Sequence, residues 1–234
     1  AVVKAGVKQI QEVVVDDRVF DREYVHPSWP KDQLRNWYCC EVSGVNFHTN
    51  TVSFFFQPTS KGRTPGVTLE PSARWIEIEN KAKTITSGPQ RIGLDRISDT
   101  NRFLLTGELR SAASDKVTIH EPGLFFAQLL GEELIKKGVK IANLERIEGS
   151  TPAIRLVGKD EQLAQGRTLA AITTTLEDAM KRCNTDSYNL YAEAFCKRIG
   201  HEVTKEPGSW SNGSAVTRML LTEKLGPRFA ATTK

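Results

Sequence analysis

The first 120 residues alternate between short apolar runs and turn-forming residues, the pattern of β-strands. The consecutive valines of segment 11–16 predict a buried strand. Segments 41–47 and 51–57 flank His48-Thr49-Asn50, which favours a hairpin with a short loop. Further strands are predicted at 75–79, 91–94, 102–105 and 116–119. This part of the chain is therefore predicted to be a β-rich module.

The pattern becomes helical after Glu121. Pro122 is well placed at the start of a helix, and an apolar stripe at helical spacing continues to Gly138, a natural C-terminal stop. Strands are predicted at 140–146 and 153–157, and helices at 168–182, 188–199 and 215–224. The fold class is therefore mixed α/β, of the α+β type. A Gly-Val-Lys step into a strand occurs at both Gly6 and Gly138, which hints at two similar helix-to-strand units.

Composition and charge exclude several classes of protein. With 234 residues, 39% hydrophobic and 26% charged, the chain has the composition of an ordinary globular protein. The net charge is only +4 and the basic residues are scattered among acidic ones, which argues against nucleic-acid binding. No apolar run approaches the roughly 18 residues of a transmembrane segment. The opening Ala-Val-Val-Lys is interpreted as an internal or processed start, without a signal peptide.

The four cysteines and four histidines do not have the spacing of a metal site. There is no Cys-x-x-Cys, and adjacent Cys39 and Cys40 would face opposite sides of a strand, which makes them poor disulfide partners. We expect free thiols, with no zinc. No metal and no organic cofactor is implied.

The segment with candidate chemistry is Ser187-Tyr188-Asn189, between two predicted helices. A Ser-x-Asn triplet alone carries little information, because roughly half a match is expected by chance in a chain of this composition. One interpretation is structural: Asp186 or Ser187 caps the helix, and Asn189 is a surface residue of its first turn. The alternative interpretation is catalytic, and it depends on the wider sequence.

The triplet continues into Leu190-Tyr191-Ala192-Glu193, and this whole motif resembles the second motif of the low-molecular-mass class C penicillin-binding proteins. These are the D-alanyl-D-alanine carboxypeptidases and endopeptidases of peptidoglycan. Other stretches resemble the family in the same order: 14–20, Pro27-Ser28-Trp29-Pro30, Glu121-Pro122 and Gly208-Ser209-Trp210. The resemblance covers nearly the whole chain. Tyr188 is a departure, because Asp or Asn is commoner at that position in the family.

The resemblance implies an arrangement and a chemistry. Residues 1–157 would form a β-rich inserted region with flanking helix-strand units, and 158–234 part of a catalytic domain like those of serine β-lactamases and transpeptidases. A serine would form an acyl-enzyme with peptidoglycan stem peptides. Ser187 would be a catalytic residue that passes a proton to the leaving D-alanine nitrogen, and Asn189 would bind substrate and the catalytic lysine. Penicillin-type β-lactams would inhibit the intact protein, which would be periplasmic or otherwise extracytoplasmic.

Such an enzyme needs Ser-x-x-Lys and Lys-Thr-Gly as well as Ser-x-Asn. No Lys-Thr-Gly or His-Thr-Gly occurs, and Ser28-Trp29-Pro30-Lys31 is the one Ser-x-x-Lys. Pro30 biases Trp29 away from helical geometry, so Ser28 and Lys31 would not share a helical turn. Ser28 is therefore rejected as the nucleophile, and this chain alone is expected to be inactive.

Two other functions remain open. The chain could be a non-catalytic cell-wall or protein-binding module with a vestigial Ser-x-Asn, or a related hydrolase with another substrate, such as a β-lactamase or esterase. Ser-x-x-Lys upstream and Lys-Thr-Gly downstream of this segment in the full gene product would favour the enzyme, and their absence would exclude it. The sequence does not choose between carboxypeptidase and endopeptidase activity.

Overall fold

The structure, a computed structural model, describes residues 1–142 and 153–230, with side chains up to residue 228. The chain folds into two compact units. Unit 1 comprises Ala1–Pro27, Val42–Asn46 and Glu121–Lys234, and unit 2 comprises Ser28–Glu41 and Phe47–His120. The boundary predicted after Val157 falls within unit 1, and the assignment of 158–234 to a catalytic domain remains a prediction.

The described residues form strands and α-helices that follow one another along the chain. In chain order these are β1 (Gln9–Ile10), β2 (Val13–Val15), β3 (Thr51–Gln57), β4 (Gly66–Glu70), β5 (Glu77–Asn80), β6 (Lys83–Thr84), β7 (Arg91–Arg96), β8 (Arg102–Leu109), β9 (Ala113–Thr118), α1 (Pro122–Lys136), β10 (Lys140–Ile141), β11 (Ile154–Leu156), α2 (Leu176–Thr185), α3 (Asn189–Thr204), α4 (Trp210–Leu225) and α5 (Pro227–Ala230). Short 3-10 helices lie at Val3–Ala5, Lys31–Gln33, Trp37–Cys39 and His48–Asn50. The mixed α/β class predicted from the sequence is confirmed.

Unit 1 contains two pairs of parallel strands. β1 pairs with β10, with Gln9 opposite Lys140, and β2 pairs with β11, with Val14 opposite Arg155. The two Gly-Val-Lys steps therefore lead into strands that lie side by side. Of the predicted strand 140–146, Lys140–Ile141 is present, and residues 143–146 lie outside the described residues.

Helix α1 packs on the β2–β11 pair. Ala127 of the helix lies in one buried apolar cluster with Val15 and Ile154. A β-carbon on Gly123 would lie 3.2 Å from Leu156 and 3.5 Å from Val15, so the absence of a side chain lets the first turn approach the strands closely. Burial of this apolar face fixes α1 against the strands.

The predicted hairpin between 41–47 and 51–57 is wrong in its first half. The second segment is β3, but Val42–Asn46 belongs to unit 1 and forms a turn. In this turn the Asn46 side chain accepts from the Ser43 N–H and donates to the Ser43 carbonyl. These local side-chain bonds satisfy the backbone and compete with strand pairing.

Unit 2 is built from two small sheets. One has the order β4-β3-β9 and is antiparallel. In the other, β8 pairs in parallel with β5 and β6 and antiparallel with β7. Phe54 of β3 and Phe103 of β8 are buried, and their ring centres are 4.8 Å apart. The core of unit 2 therefore includes aromatic packing between its two sheets.

Helix α2 begins later than predicted. The sequence placed a helix at 168–182, whereas α2 runs from Leu176 to Thr185. The Thr175 hydroxyl accepts a hydrogen bond from the Asp178 N–H and so caps the helix at this point. Residues 162–174 before it are exposed and have no regular structure, and Ile172 is 98% exposed.

Helix α4 also differs from its prediction. The sequence predicted a turn at 208–213 and a last helix that begins at Ala215, but α4 begins at Trp210. Ser209 and Asn212 form a reciprocal capping box that starts the helix five residues earlier. Within residues 1–142 and 153–230, no helix combines the length and apolar character needed to cross a membrane.

Candidate functional site

Ser187, Tyr188 and Asn189 form the sharp junction between α2 and α3. Asp186 ends α2, and its N–H donates to the carbonyl of Arg182. Ser187 has a φ of 56°, in the left-handed region, which is uncommon for a residue with a side chain. Asn189 is the first residue of α3, and both Ser187 and Asn189 are exposed. The junction therefore presents a hydroxyl and an amide to solvent within three residues.

The capping interpretation of this triplet does not match the geometry. Tyr188, rather than Asp186 or Ser187, is the N-cap residue of α3, and no side chain makes the capping hydrogen bond there. Left-handed backbone in a non-glycine residue costs on the order of 1–3 kcal/mol and is concentrated at functional sites. The local structure thus leaves Ser187 without the capping role that the sequence allowed it.

Tyr188, the unusual middle residue, packs within the junction. Its ring centre is 5.6 Å from the Arg182 guanidinium and 6.2 Å from the Tyr191 ring centre. Arg182 also forms an ion pair with Asp186, and this neighbouring carboxylate raises the pKa of the guanidinium. Arg182, Tyr188 and Asp186 thus connect the last turn of α2 to the start of α3.

Glu193 and Lys197, which follow later in α3, hold the helix against Trp210 of α4. The Trp210 indole N–H donates to Glu193 at 2.6 Å, and the Lys197 ammonium lies 3.8 Å from the centre of the Trp210 ring. Lys197 also donates to the Asp21 carboxylate at 2.6 Å and to the Glu23 carbonyl at 2.7 Å. The side chain of Lys197 is fully buried. Burial lowers its pKa, and the hydrogen bond to Asp21 acts in the opposite direction.

Sequence reasoning missed Lys197 and Asp21 as parts of this region. A lysine is rarely buried, and Asp21 lies 176 residues away along the chain. The available signal was the spacing: Glu193 and Lys197 follow Asn189 by four and eight residues, which puts all three on one side of a helix.

Helices α3 and α4 cross at very close distance. A β-carbon on Gly200 would lie 1.9 Å from the Asn212 side-chain oxygen, and one on Gly213 would lie 2.1 Å from the Cys196 carbonyl oxygen. Gly208, just before α4, would meet the Lys197 carbonyl oxygen at 2.1 Å in the same way. These three glycines allow the backbones to touch and leave little freedom for α3 to shift.

The structure places the rejected candidate Ser28 in a different setting. Pro30 is extended, with ψ of 126°, and a short 3-10 helix begins at Lys31. Ser28 and Lys31 are therefore not held on one α-helical turn, as a serine–lysine pair for nucleophilic attack requires. In the described part of the chain, no three side chains among His, Cys, Asp and Glu come together to hold a metal ion.

Solved structures with the same fold are found. The chain matches penicillin binding protein 4 (dacB) from Haemophilus influenzae with a TM-score of 0.72 and 16% identity, over 95% of this chain and 48% of that chain. A second structure of that protein, complexed with a novel β-lactam, matches with a TM-score of 0.63 and 16% identity, over 96% of this chain and 47% of that chain. The chain thus spans about half the length of these relatives, and the likeness shows a shared fold.

The sequence comparison extends over nearly every residue. The sequence model of the D-Ala-D-Ala carboxypeptidase 3 (S13) family matches residues 1–232. This range includes the α2–α3 junction with Ser187 and Asn189, as well as Lys197 and Trp210. The resemblance noted from the Ser-x-Asn motif and its neighbours is confirmed: the chain belongs to the D-Ala-D-Ala carboxypeptidase 3 (S13) family.

Proposed function

We propose that this chain is part of a serine-type D-Ala-D-Ala carboxypeptidase that acts on peptidoglycan stem peptides through an acyl-enzyme. The observation that carries the proposal is the exposed junction of α2 and α3, where Ser187 stands in left-handed backbone and Asn189 opens α3. The match of the family model to residues 1–232 supports the same function. The protein would act outside the cytoplasm, where its substrate lies.

Ser187 is proposed as a proton carrier. A hydroxyl can accept and donate at once, so it can receive a proton on one side and deliver it to the leaving D-alanine nitrogen on the other. General acid–base assistance of this kind contributes about 10²–10⁴-fold to a rate. The left-handed backbone at Ser187 sets the side chain at the turn rather than along the helix, where it is exposed to an approaching peptide.

Asn189 is proposed as the residue that binds the acyl part of the peptide. Its amide offers two N–H donors and a carbonyl acceptor, which matches the donors and acceptors of a peptide backbone. Asn189 also stands at the N-terminal end of α3, where the positive end of the helix dipole favours the oxygens of an acyl group. The attacking serine and its lysine, and the Lys-Thr-Gly segment, do not occur in these 234 residues in usable form, so the remainder of the intact protein would supply them.

The test is acylation by a fluorescent penicillin. The intact gene product, this 234-residue chain alone, and intact Ser187→Ala and Asn189→Ala variants are incubated with the reagent and separated on a gel. We expect the intact protein to be labelled, the chain alone to be blank, and Ser187→Ala to acylate at least tenfold more slowly. Ser211→Ala, an exposed serine of α4, is the matched control and should label at the wild-type rate.

The alternative outcomes are distinct. A blank intact protein would overturn the enzymatic proposal and favour a non-catalytic wall-binding module. A labelled 234-residue chain would mean that Ser28 is a nucleophile after all. Release of D-alanine from a stem pentapeptide, compared with cleavage of a cross-linked stem dimer, then separates carboxypeptidase from endopeptidase activity.

A further inference from the structure

Asn189, Glu193 and Lys197 succeed one another at four-residue intervals along α3. Residues at this spacing differ by about 40° around a helix, so the three lie on one face. Asn189 is exposed, Glu193 is half-buried and Lys197 is buried. The face that carries the candidate substrate-binding amide is therefore anchored one and two turns further along.

Both anchoring residues hold the same indole. Glu193 accepts the N–H of Trp210, and the Lys197 ammonium lies over the ring, so contacts from two successive turns of α3 meet on one rigid side chain of α4. His26 contacts the same ring edge-on, with ring centres 5.0 Å apart and planes at 80°. A rotation of α3 about its axis would break both the hydrogen bond and the cation–π contact.

Lys197 also anchors α3 to a segment outside α4. Its ammonium donates to the Asp21 carboxylate and to the Glu23 carbonyl, which belong to the segment that follows β2. Phe20 of this segment pairs with Gly208, and the Asp21 N–H donates to the Gly208 carbonyl. The lysine thus ties α3 to the same loop on which the turn before α4 rests.

Burial of a lysine side chain is energetically unfavourable. Removing an ammonium from water costs several kcal/mol, and an apolar side chain of similar volume packs at least as well in such a position. The arrangement therefore makes sense as a means of fixing geometry rather than of adding stability. Its three partners, the carboxylate, the carbonyl and the ring, define one position for the lysine and hence for α3.

We propose that Lys197 is a positioning residue, which through Trp210 and Asp21 fixes the first turn of α3 and thereby the place of Asn189 in the site. This inference rests on the proposed function of Asn189. It adds to that function a residue that does not touch the substrate. Glu193 acts with Lys197, because it holds the same indole one turn closer to Asn189.

The test uses Lys197→Met in the intact protein, which keeps an unbranched side chain only one heavy atom shorter and removes its charge. We expect acylation by fluorescent penicillin to slow by about 10²-fold, since a displacement of about 1 Å at a reacting group has an effect of this size. Arg198→Met removes a neighbouring, half-exposed cation of α3 that pairs with Glu202, and should acylate at the wild-type rate.

Coupling to Asn189 separates positioning from general damage. If Lys197 acts by placing Asn189, the double variant Lys197→Met/Asn189→Ala should acylate no more slowly than Asn189→Ala alone. Independent effects that multiply would overturn the proposal. Trp210→Phe, which removes the indole N–H and keeps an aromatic ring, should show the same non-additivity, and it replaces Lys197→Met if that variant does not fold.

Amide hydrogen exchange gives a second readout that does not depend on activity. In Lys197→Met, the amides of the first turns of α3 after Asn189 should exchange faster than in the wild type, while those of α1 stay unchanged. Unchanged exchange in α3 would overturn the anchoring role. If the wild-type protein is not labelled by penicillin, the proposed function fails, and the exchange measurement alone decides whether Lys197 fixes α3.

Discussion

Gly213 of α4 lies so close to Cys196 of α3 that a β-carbon on the glycine would be 2.1 Å from the Cys196 carbonyl oxygen and 2.8 Å from its sulfur. Neither the backbone oxygen nor the helix behind it can move without separating α3 from α4. The junction that carries Ser187 and Asn189 is thus held by a helix crossing that tolerates no side chain at this point.

Replacement of Gly213 by alanine should destabilise the protein by about 1–3 kcal/mol, the usual cost of overpacking a closely packed contact. The direction of the change in the free energy of unfolding is informative, because alanine in the interior of a helix otherwise stabilises a protein by roughly 0.5–1 kcal/mol relative to glycine. The free energy of unfolding in urea measures the change. Gly166→Ala is the control, since a β-carbon there would meet nothing within 4 Å. Equal stability of the two variants would contradict the close crossing.

Two adjacent phenylalanines of β3 should respond very differently to truncation. Phe54 is fully buried in unit 2, where its ring packs at a tilt of 54° against Phe103, whereas Phe55, on the opposite face of the strand, is 41% exposed. Phe54→Ala should lower the free energy of unfolding by about 3–5 kcal/mol, the usual loss for a buried phenylalanine. Phe55→Ala should cost under about 1 kcal/mol. A larger effect at Phe55 would mean that the register of β3 is wrong.

Stability should fall in acid partly because of Glu161. Arg155 donates to both oxygens of Glu161, and these hydrogen bonds lower the pKa of the carboxyl to about 2. In the unfolded chain a glutamate titrates near about 4.3. The contribution of Glu161 is thus complete above that value, and it disappears as the pH falls from about 4.3 to about 2.

Urea unfolding of wild type and Glu161→Gln between pH 6 and pH 2 measures this contribution. The difference in stability between the two proteins should be constant above pH 5 and should shrink as the pH falls through the window. Asp160→Asn, which removes an exposed carboxylate from the same turn, is the control for net charge. A pH-independent difference would show that the Arg155–Glu161 contact does not form.

Thiol chemistry should distinguish the cysteines. Cys40 is 2% exposed, and burial raises its pKa to about 12, so almost no thiolate is present near pH 8. Cys183 is half-buried on α2. At pH 8 an aromatic disulfide reagent should modify Cys183 in the native protein and Cys40 only after unfolding. Removal of the fast phase by Cys183→Ser, but not by Cys40→Ser, would identify the reactive thiol.

The sequence predicted the elements whose signals are local. The alternation of apolar and turn residues located β5, β7, β8 and β9, and Pro122 and Gly138 marked the ends of α1 closely. The Ser-x-Asn motif and its continuation into Glu193 also pointed to the family, because they are read residue by residue. These features depend on neighbours in the chain and not on the fold.

Errors arose where distant or competing contacts decide the structure. The turn at Ser43–Asn46 satisfies its own backbone through side chains, and α2, capped by Thr175, begins eight residues later than the helical pattern predicted. Lys197 was not recognised because its partners Asp21 and Glu23 come from the other end of the chain. No periodicity reports a contact of this kind.

The strand pairing of unit 1 has a consequence for the order in which the strands can pair. Strands β3 to β9 pair only with strands between residues 51 and 118. In unit 1, by contrast, Gln9 pairs with Lys140 and Val14 with Arg155, which lie more than a hundred residues later in the chain. β1 and β2 therefore cannot pair until the chain has passed through the whole of unit 2. Unit 2 can complete its strand pairing while the valines of β2 still lack a partner strand, and unpaired apolar strands of this kind are prone to aggregation in partly folded proteins.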